Sequence, residues 1–196
     1  DRYVRGMQGD LGADSVIACA KHWVGDGGTT NGEDQGNTVM PESELERVHV
    51  APYYPALEAG VLTVMASFNS WNGEKCHGHR YLLTDVLKHR MGFDGIVVSD
   101  WDGIDQLSDD YDEAITQSVN AGIDMIMISV DWKRCLDGLK RAVVEGRVSM
   151  ERIDDAVRRI LGVKARYGLF DRARPAERPW ANHESFGGSA HRAVAR

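Results

Sequence analysis

The feature that most constrains this chain is a set of four short apolar runs that do not alternate with polar residues. They cover residues 16–24, 61–68, 95–100 and 123–128. A strand with one wet face alternates, whereas unbroken Val, Ile and Met runs suit strands buried on both faces of a parallel sheet. Helical patterns fill the gaps at 42–59, 81–91 and 113–121, and another, 132–145, follows the last run. The β-α-β-α-β-α-β-α order predicts an α/β fold with right-handed crossovers. A (β/α)8 barrel needs eight such units over about 250 residues, so four units make half of one. The periodicity is equally compatible with an open doubly wound sheet, although no Gly-rich phosphate loop follows the first strand.

A further helix closes this region. Ser149 is its expected N-cap, and Ile153, Val157, Ile160, Leu161 and the aliphatic stem of Lys164 form its apolar stripe. Gly168 supplies a left-handed end. Beyond Phe170 the composition changes to DRARPAERPW, where Pro175 and Pro179 favour extended backbone, so 171–180 reads as a linker into a different unit. Asp1 is not an initiator and the final SAHRAVAR stops within a helical pattern, which predicts a fragment.

Composition narrows the partners. With 42% hydrophobic and 27% charged residues, the chain can build one sizeable core. Its net charge of -7 comes from scattered acids, and Lys and Arg never form a run, so nucleic acid and anionic membrane are not expected partners. No stretch approaches the roughly 18 apolar residues of a spanning helix, and the opening DRYVRGMQGD has no signal-peptide pattern. Cys19, Cys76 and Cys135 lie too far apart for a metal motif or a disulfide framework and are expected to be buried as small apolar residues.

Ligands of parallel-sheet folds gather at the carboxyl ends of strands, so polar residues there are the candidates. The first strand ends in Lys21-His22-Trp23 and runs into a Gly-rich loop, 25–37, that carries several carboxylates. This suits a hydroxyl-rich ligand, or a salt-bridged strand terminus. The third strand ends in Ser99-Asp100-Trp101. Asp100 could be nucleophile, base, metal ligand or turn cap, with Trp101 stacking on a sugar face and Asp102 as a second carboxylate or the cap itself. The second strand ends in 65–73, where Met65 and Phe68 suit either core packing or a carbohydrate pocket. His77 and His79 are spaced i, i+2 with no third ligand nearby, which argues against zinc. Ser129 and Asp131 read as a helix cap.

Taken together, AKHWVGDGGTTNG (20–32), TVMASFNSWNG (63–73), LLTDVLK (82–88), GFDGIVVSDWDGID (92–105), AGIDMIM (121–127) and RIDDAVRRILGVKARYGLF (152–170) resemble glycoside hydrolase family 3. The likeness covers nearly the whole chain and is greatest to β-glucosidases and exo-β-glucanases. It implies the second half of a (β/α)8 TIM-like barrel, four β-α units plus a terminal helix. Residues 1–170 would be the C-terminal part of the catalytic barrel, and 171–196 the linker and start of a following α/β sandwich domain.

The resemblance also implies roles. Asp100 matches the nucleophile, Trp101 the tryptophan at the glucose subsite, Lys21 and His22 the pair that binds glucose hydroxyls, and Met65 a pocket-lining residue. Phe68 stands where many members carry a tyrosine whose hydroxyl approaches the nucleophile, so that contact is absent here. The acid/base glutamate would lie beyond Arg196, and the aspartate and arginine of the earlier strands before Asp1; Glu33 and Asp34 are poor substitutes. The N-acetylglucosaminidase branch places a His-Asp pair in the loop after the first of these strands, whereas GDGGTTNGED has no histidine.

The activity implied is retaining hydrolysis of terminal β-D-glucosyl residues from a β-glucoside or β-glucan, without a cofactor, in a parent protein that is secreted or periplasmic. The alternative is a non-catalytic half-barrel fragment that at most binds sugar. Its open edges would favour self-association, and the strand faces of Val64, Ile96, Val98 and Met125 would be uncovered.

Overall fold

A computed structural model of the chain describes residues 1–178 and 181–196; Pro179 and Trp180, from the expected linker, lie outside the described residues. In chain order, α1 (Arg2–Gln8) precedes β1 (Cys19–Trp23) and β2 (Asn37–Thr38). There follow α2 (Glu42–Leu45), a π-helical segment Glu46–Val50, and α3 (Tyr53–Glu58). Next come β3 (Thr63–Ala66), the hairpin β4 (Ser70–Trp71) and β5 (Glu74–Lys75), and a π-helix Tyr81–Arg90. The series ends with β6 (Ile96–Val98), α4 (Tyr111–Ala121), α5 (Trp132–Val144), α6 (Met150–Arg166) and α7 (Ser189–Val194).

The expected parallel sheet forms, in the order β1-β3-β6, with Ala20 opposite Val64 and Val64 opposite Val97. The fourth apolar run does not become a strand: it makes one parallel bridge, Val98 to Met125. Asp124 explains part of this, because its Oδ2 accepts the Val97 N–H at 2.9 Å, a donor that a regular ladder would give to a backbone carbonyl. A small second sheet, β2-β4-β5, has no counterpart in the apolar pattern; it ties the loop after β1 to the loop after β3.

The helix expected over 42–59 is broken into three pieces. Pro52 and Pro55 carry no N–H for residues four earlier, so a single α-helical ladder cannot run through them. Caps fall where sequence places them: Asp131 accepts from Arg134 N and Ser149 from Arg152 N, both at 3.2 Å, and Gly168 turns left-handed at φ 67°. Ser129 is not part of that cap.

On one face of the sheet, Val64 and Val97 pack with Trp23, Leu82, Leu83 and Leu87 in the main core. The other face is the one expected to be uncovered, and it is not. Val163 of α6 packs on Leu62 and Ile96, with Ile17, Met125 and Ile160 around them, and Ile96 and Val98 are buried; Val64, expected on this face, is buried on the main-core face instead. The α6 stripe is correspondingly shifted: Ala156 and Val163 are its buried residues, while Val157 and Leu161 stay exposed. Cys76 and Cys135 are buried as expected, but Cys19 is exposed, because β1 is an edge strand with no described neighbour on its outer side.

The amino ends of the strands are closed by ion pairs. Lys88 Nζ lies 2.7 Å from Asp124 Oδ1 and 3.6 Å from Asp155 Oδ2. Arg152 pairs with both aspartates, Arg159 Nε meets Asp155 at 3.1 Å, and an Arg159 guanidinium N–H donates to the Phe93 carbonyl at 2.8 Å.

Candidate active site

The apolar residues of β6 end at Val98, and the chain then leaves the sheet through Ser99, Asp100, Trp101 and Asp102. Every backbone N–H in this exit is donated. Ser99 N goes to the Met125 carbonyl at 2.9 Å, Asp100 N to His77 Nε2 at 2.9 Å, Trp101 N to Asp100 Oδ1 at 2.7 Å, and Asp102 N to the Met127 carbonyl at 3.0 Å. Asp102 sits left-handed at φ 50° and its carboxylate accepts from both the N–H and the hydroxyl of Ser129. Asp102 therefore ties two loops together rather than capping the turn that follows it, and Ser129 is its partner.

The end of β1 meets this exit from the side. His22 Nε2 is 3.4 Å from Asp100 Oδ2, and His22 Nδ1 is 3.0 Å from Asp26 Oδ2. The imidazole thus bridges two carboxylates, one on the strand exit and one on the Gly-rich loop. The Lys21–His22 and Trp23–Val24 peptide bonds are cis. Trp23, next in the strand, is fully buried, and its indole N–H donates to the Leu82 carbonyl at 3.1 Å, which anchors this end of β1. The loop is held by a buried amide: Asn69 Nδ2 donates to the Val24 carbonyl at 3.2 Å and to Thr38 Oγ1 at 3.0 Å, and Thr38 Oγ1 donates to the Gly25 carbonyl at 2.8 Å.

Of the residues expected from sequence, His22 and Asp100 are in contact. The Asp100 side chain is 15% exposed, shielded but reachable. Trp101 is 57% exposed and presents its ring to solvent. Lys21 is exposed and makes no hydrogen bond or ion pair with another described residue. Met65 is buried in β3 opposite Val98, one strand away from the Asp100 exit. The Phe68 ring packs on His77 at 5.5 Å between centroids.

Two residues of the site are not marked by the sequence. Asp26 is visible there only as one of several loop carboxylates. His77 reads as a metal candidate beside His79, but the fold parts the two: His79 stacks on Trp71 at 5.5 Å, while His77 turns inward to Asp100. Burial pushes His77 down to about 4, against the attraction of Asp100 and the Ser67 carbonyl, so the ring is neutral near pH 7. Nothing in local spacing links His77 to a residue 23 positions later.

The description "Glycosyl hydrolase family 3 N terminal domain" matches residues 1–163, a span that includes every residue of this site. The chain belongs to glycosyl hydrolase family 3. It is 35% identical over 175 residues to a periplasmic beta-glucosidase of Salmonella typhimurium, covering 86% of this chain and 22% of that protein. Among solved structures, a point mutant of the exo-1,3/1,4-beta-glucanase ExoP from a Pseudoalteromonas species superposes with TM-score 0.90 at 44% identity, over 98% of this chain and 32% of that one. The beta-glucosidase of Listeria innocua in complex with glucose matches with TM-score 0.80 at 31% identity, over 86% and 24%. The family 3 chain therefore spans between about a fifth and a third of the length of these relatives.

Proposed function

We propose that this family 3 segment supplies the nucleophile and part of the glucose-binding wall of a retaining β-glucosidase or exo-β-glucanase. The observation that carries the reading is the meeting of two strand ends, with Asp100 Oδ2 3.4 Å from His22 Nε2 beside an exposed indole. A carboxylate oxygen of Asp100 attacks the anomeric carbon as the glycosidic C–O bond breaks, forming a glucosyl ester. Water then cleaves the ester with net retention.

His22 and Lys21 hydrogen-bond sugar hydroxyls, Met65 lines the pocket wall and Trp101 stacks on the ring. Asp26 holds His22 from behind, so His22 presents Nε2 rather than Nδ1 to the nucleophile side. The leaving oxygen takes its proton from a glutamate on a following domain, with residues 1–170 forming the C-terminal half of a (β/α)8 barrel and 171–196 leading onward. The relatives' names, beta-glucosidase and exo-1,3/1,4-beta-glucanase, support a terminal β-glucosyl substrate.

The test is labelling of the complete gene product with a 2-deoxy-2-fluoro β-glucoside, followed by peptide mapping. The adduct is expected on Asp100; an adduct on any other carboxylate removes the assignment.

A second reading applies to the 196-residue chain by itself, because it spans so little of its relatives: a sugar-binding half-barrel without turnover. Edge strand β1, and an apolar groove of about 340 Å³ between α5 and α6 that includes Ile128, Trp132, Leu136, Val157 and Ile160, favour self-association of such a chain. Light scattering during size exclusion, with p-nitrophenyl β-glucoside hydrolysis measured on the same peak, separates the readings. A monomer turning over at ordinary enzyme rates excludes the second.

A further inference from the structure

His77 takes no part in that double displacement, yet it touches the nucleophile's own backbone. Its Nε2 accepts the Asp100 N–H at 2.9 Å. An accepting nitrogen carries no proton, so the neutral ring holds its proton on Nδ1. Nδ1 is buried without a well-formed hydrogen bond, although the Ser67 carbonyl favours a proton there.

The seat of this ring is built from the strand ends that carry the site. Phe68, just past β3, flanks it with ring planes at 61°. Gly103, just past β6, closes it: a Cβ on Gly103 would stand 2.5 Å from both His77 Nε2 and Cε1. The backbone of Gly103 is not left-handed, so space for the imidazole, not backbone strain, is what excludes a side chain there.

We propose that His77 is a positioning residue for Asp100. By accepting the Asp100 N–H it fixes the backbone from which the carboxylate projects. Without it, the exit 99–102 would contain one unbonded N–H, at the reacting residue itself, and the carboxylate could swing away from His22. Other buried histidines serve as core ties, but here the tie ends on the nucleophile. The inference rests on Asp100 being that nucleophile.

The test uses 2-deoxy-2-fluoro-β-glucosyl fluoride on the complete gene product. The C1–F bond breaks, fluoride leaves with the bonding pair and needs no proton, and Asp100 Oδ bonds to C1. Labelling therefore reports attack by Asp100 independently of any general acid. His77→Phe is expected to lower kinact by about 10²-fold with little change in KI, the scale of a misplacement near 1 Å. His77→Gln, whose side-chain carbonyl can stand near the Nε2 position, should recover most of that loss. Gly103→Ala should lower kinact in the same sense, and it tests the claim even if His77→Phe does not fold.

An unchanged kinact in His77→Phe, a rise in KI alone, or a silent Gly103→Ala together with no rescue by Gln overturns the inference. Wild-type label on a residue other than Asp100 would instead overturn the nucleophile assignment, and this inference with it.

Discussion

Both ends of the parallel sheet carry charged side chains but treat them in opposite ways. At the amino ends, Lys88, Asp124, Arg152, Asp155 and Arg159 pair with one another, and the Lys88 and Asp124 side chains are 2% and 0% exposed. At the carboxyl ends, Lys21 is unpaired among the described residues, Trp101 faces solvent, and Asp100 keeps one side shielded. Buried charge is tolerated at the first end because each group has a partner, and partnerless charge is tolerated at the second because water reaches it. Within one α/β unit, the closed end holds the strands in place and the open end keeps charged and aromatic groups within reach of solvent.

This contrast predicts opposite consequences of mutation. The largest effect is expected from Asp100→Asn in the complete gene product: a fall in kcat of about 10⁴-fold or more, with the thermal midpoint shifted by no more than a few degrees. A large loss of stability with activity retained would erase the distinction between the ends. Asp124→Ala is the converse. It leaves the buried Lys88 and Arg152 with Asp155 as their one remaining described carboxylate, and urea unfolding should show a loss of about 3–5 kcal/mol, while the folded fraction keeps its kcat/KM. If Asp124→Ala instead leaves the urea midpoint in place, the amino-end network is ornamental.

Lys21→Met should cost about 10²-fold in kcat/KM, as for loss of a charge-assisted bond to substrate, and should leave melting unaltered. Kinetics and melting both unchanged would make Lys21 a solvated surface cation.

The smallest effect separates the ends by pH. His77, depressed to about 4 from an ordinary 6.5, contributes stability that is complete above pH 6.5 and is lost as pH falls toward 4. Asp155 behaves differently. Partial burial opposes its charge, but Lys88, Arg159 and Arg152 outweigh that and hold its carboxyl below its ordinary 3.8. Its contribution is complete above 3.8 and is lost only as pH falls through that lower value. Urea midpoints should therefore decline first as pH falls below 6.5, with His77→Phe removing the His77 share of that decline and His79, also held down by burial, keeping the remainder, and again below 4. A flat profile from 6.5 to 4 in the wild type would contradict the His77 assignment.

Much of this was legible in the sequence. The unalternating runs at 61–68 and 95–100 could be satisfied only between layers, so β3 and β6 were foreseeable, as were the caps at Asp131 and Ser149, which depend on a side chain and an N–H a few residues away. Asp100, Lys21 and His22 stood out as candidates because strand ends are where a parallel fold collects polar groups, and the fold places them at or next to the ends of β6 and β1. The run at 123–128 misled because its pattern does not reveal that the Asp124 side chain would replace a ladder acceptor. The α6 stripe misled because the side facing the sheet is chosen by Leu62 and Ile96, which lie far earlier in the chain.

What the sequence by itself determined is the local chemistry: most of the strands and helices, the caps that start several of them, and which strand end carries a carboxylate or a cation. Periodicity, caps and prolines act over a few residues, and those are written in order along the chain. What only the tertiary structure decided is which of those groups meet. His22 finds Asp100 from a different strand end, His77 reaches the Asp100 N–H from another loop, and Gly103 is required to be small by a ring it does not neighbour in sequence. Such pairings follow from strand register and the packing of loops above it, and no local rule encodes the distance between two strand ends.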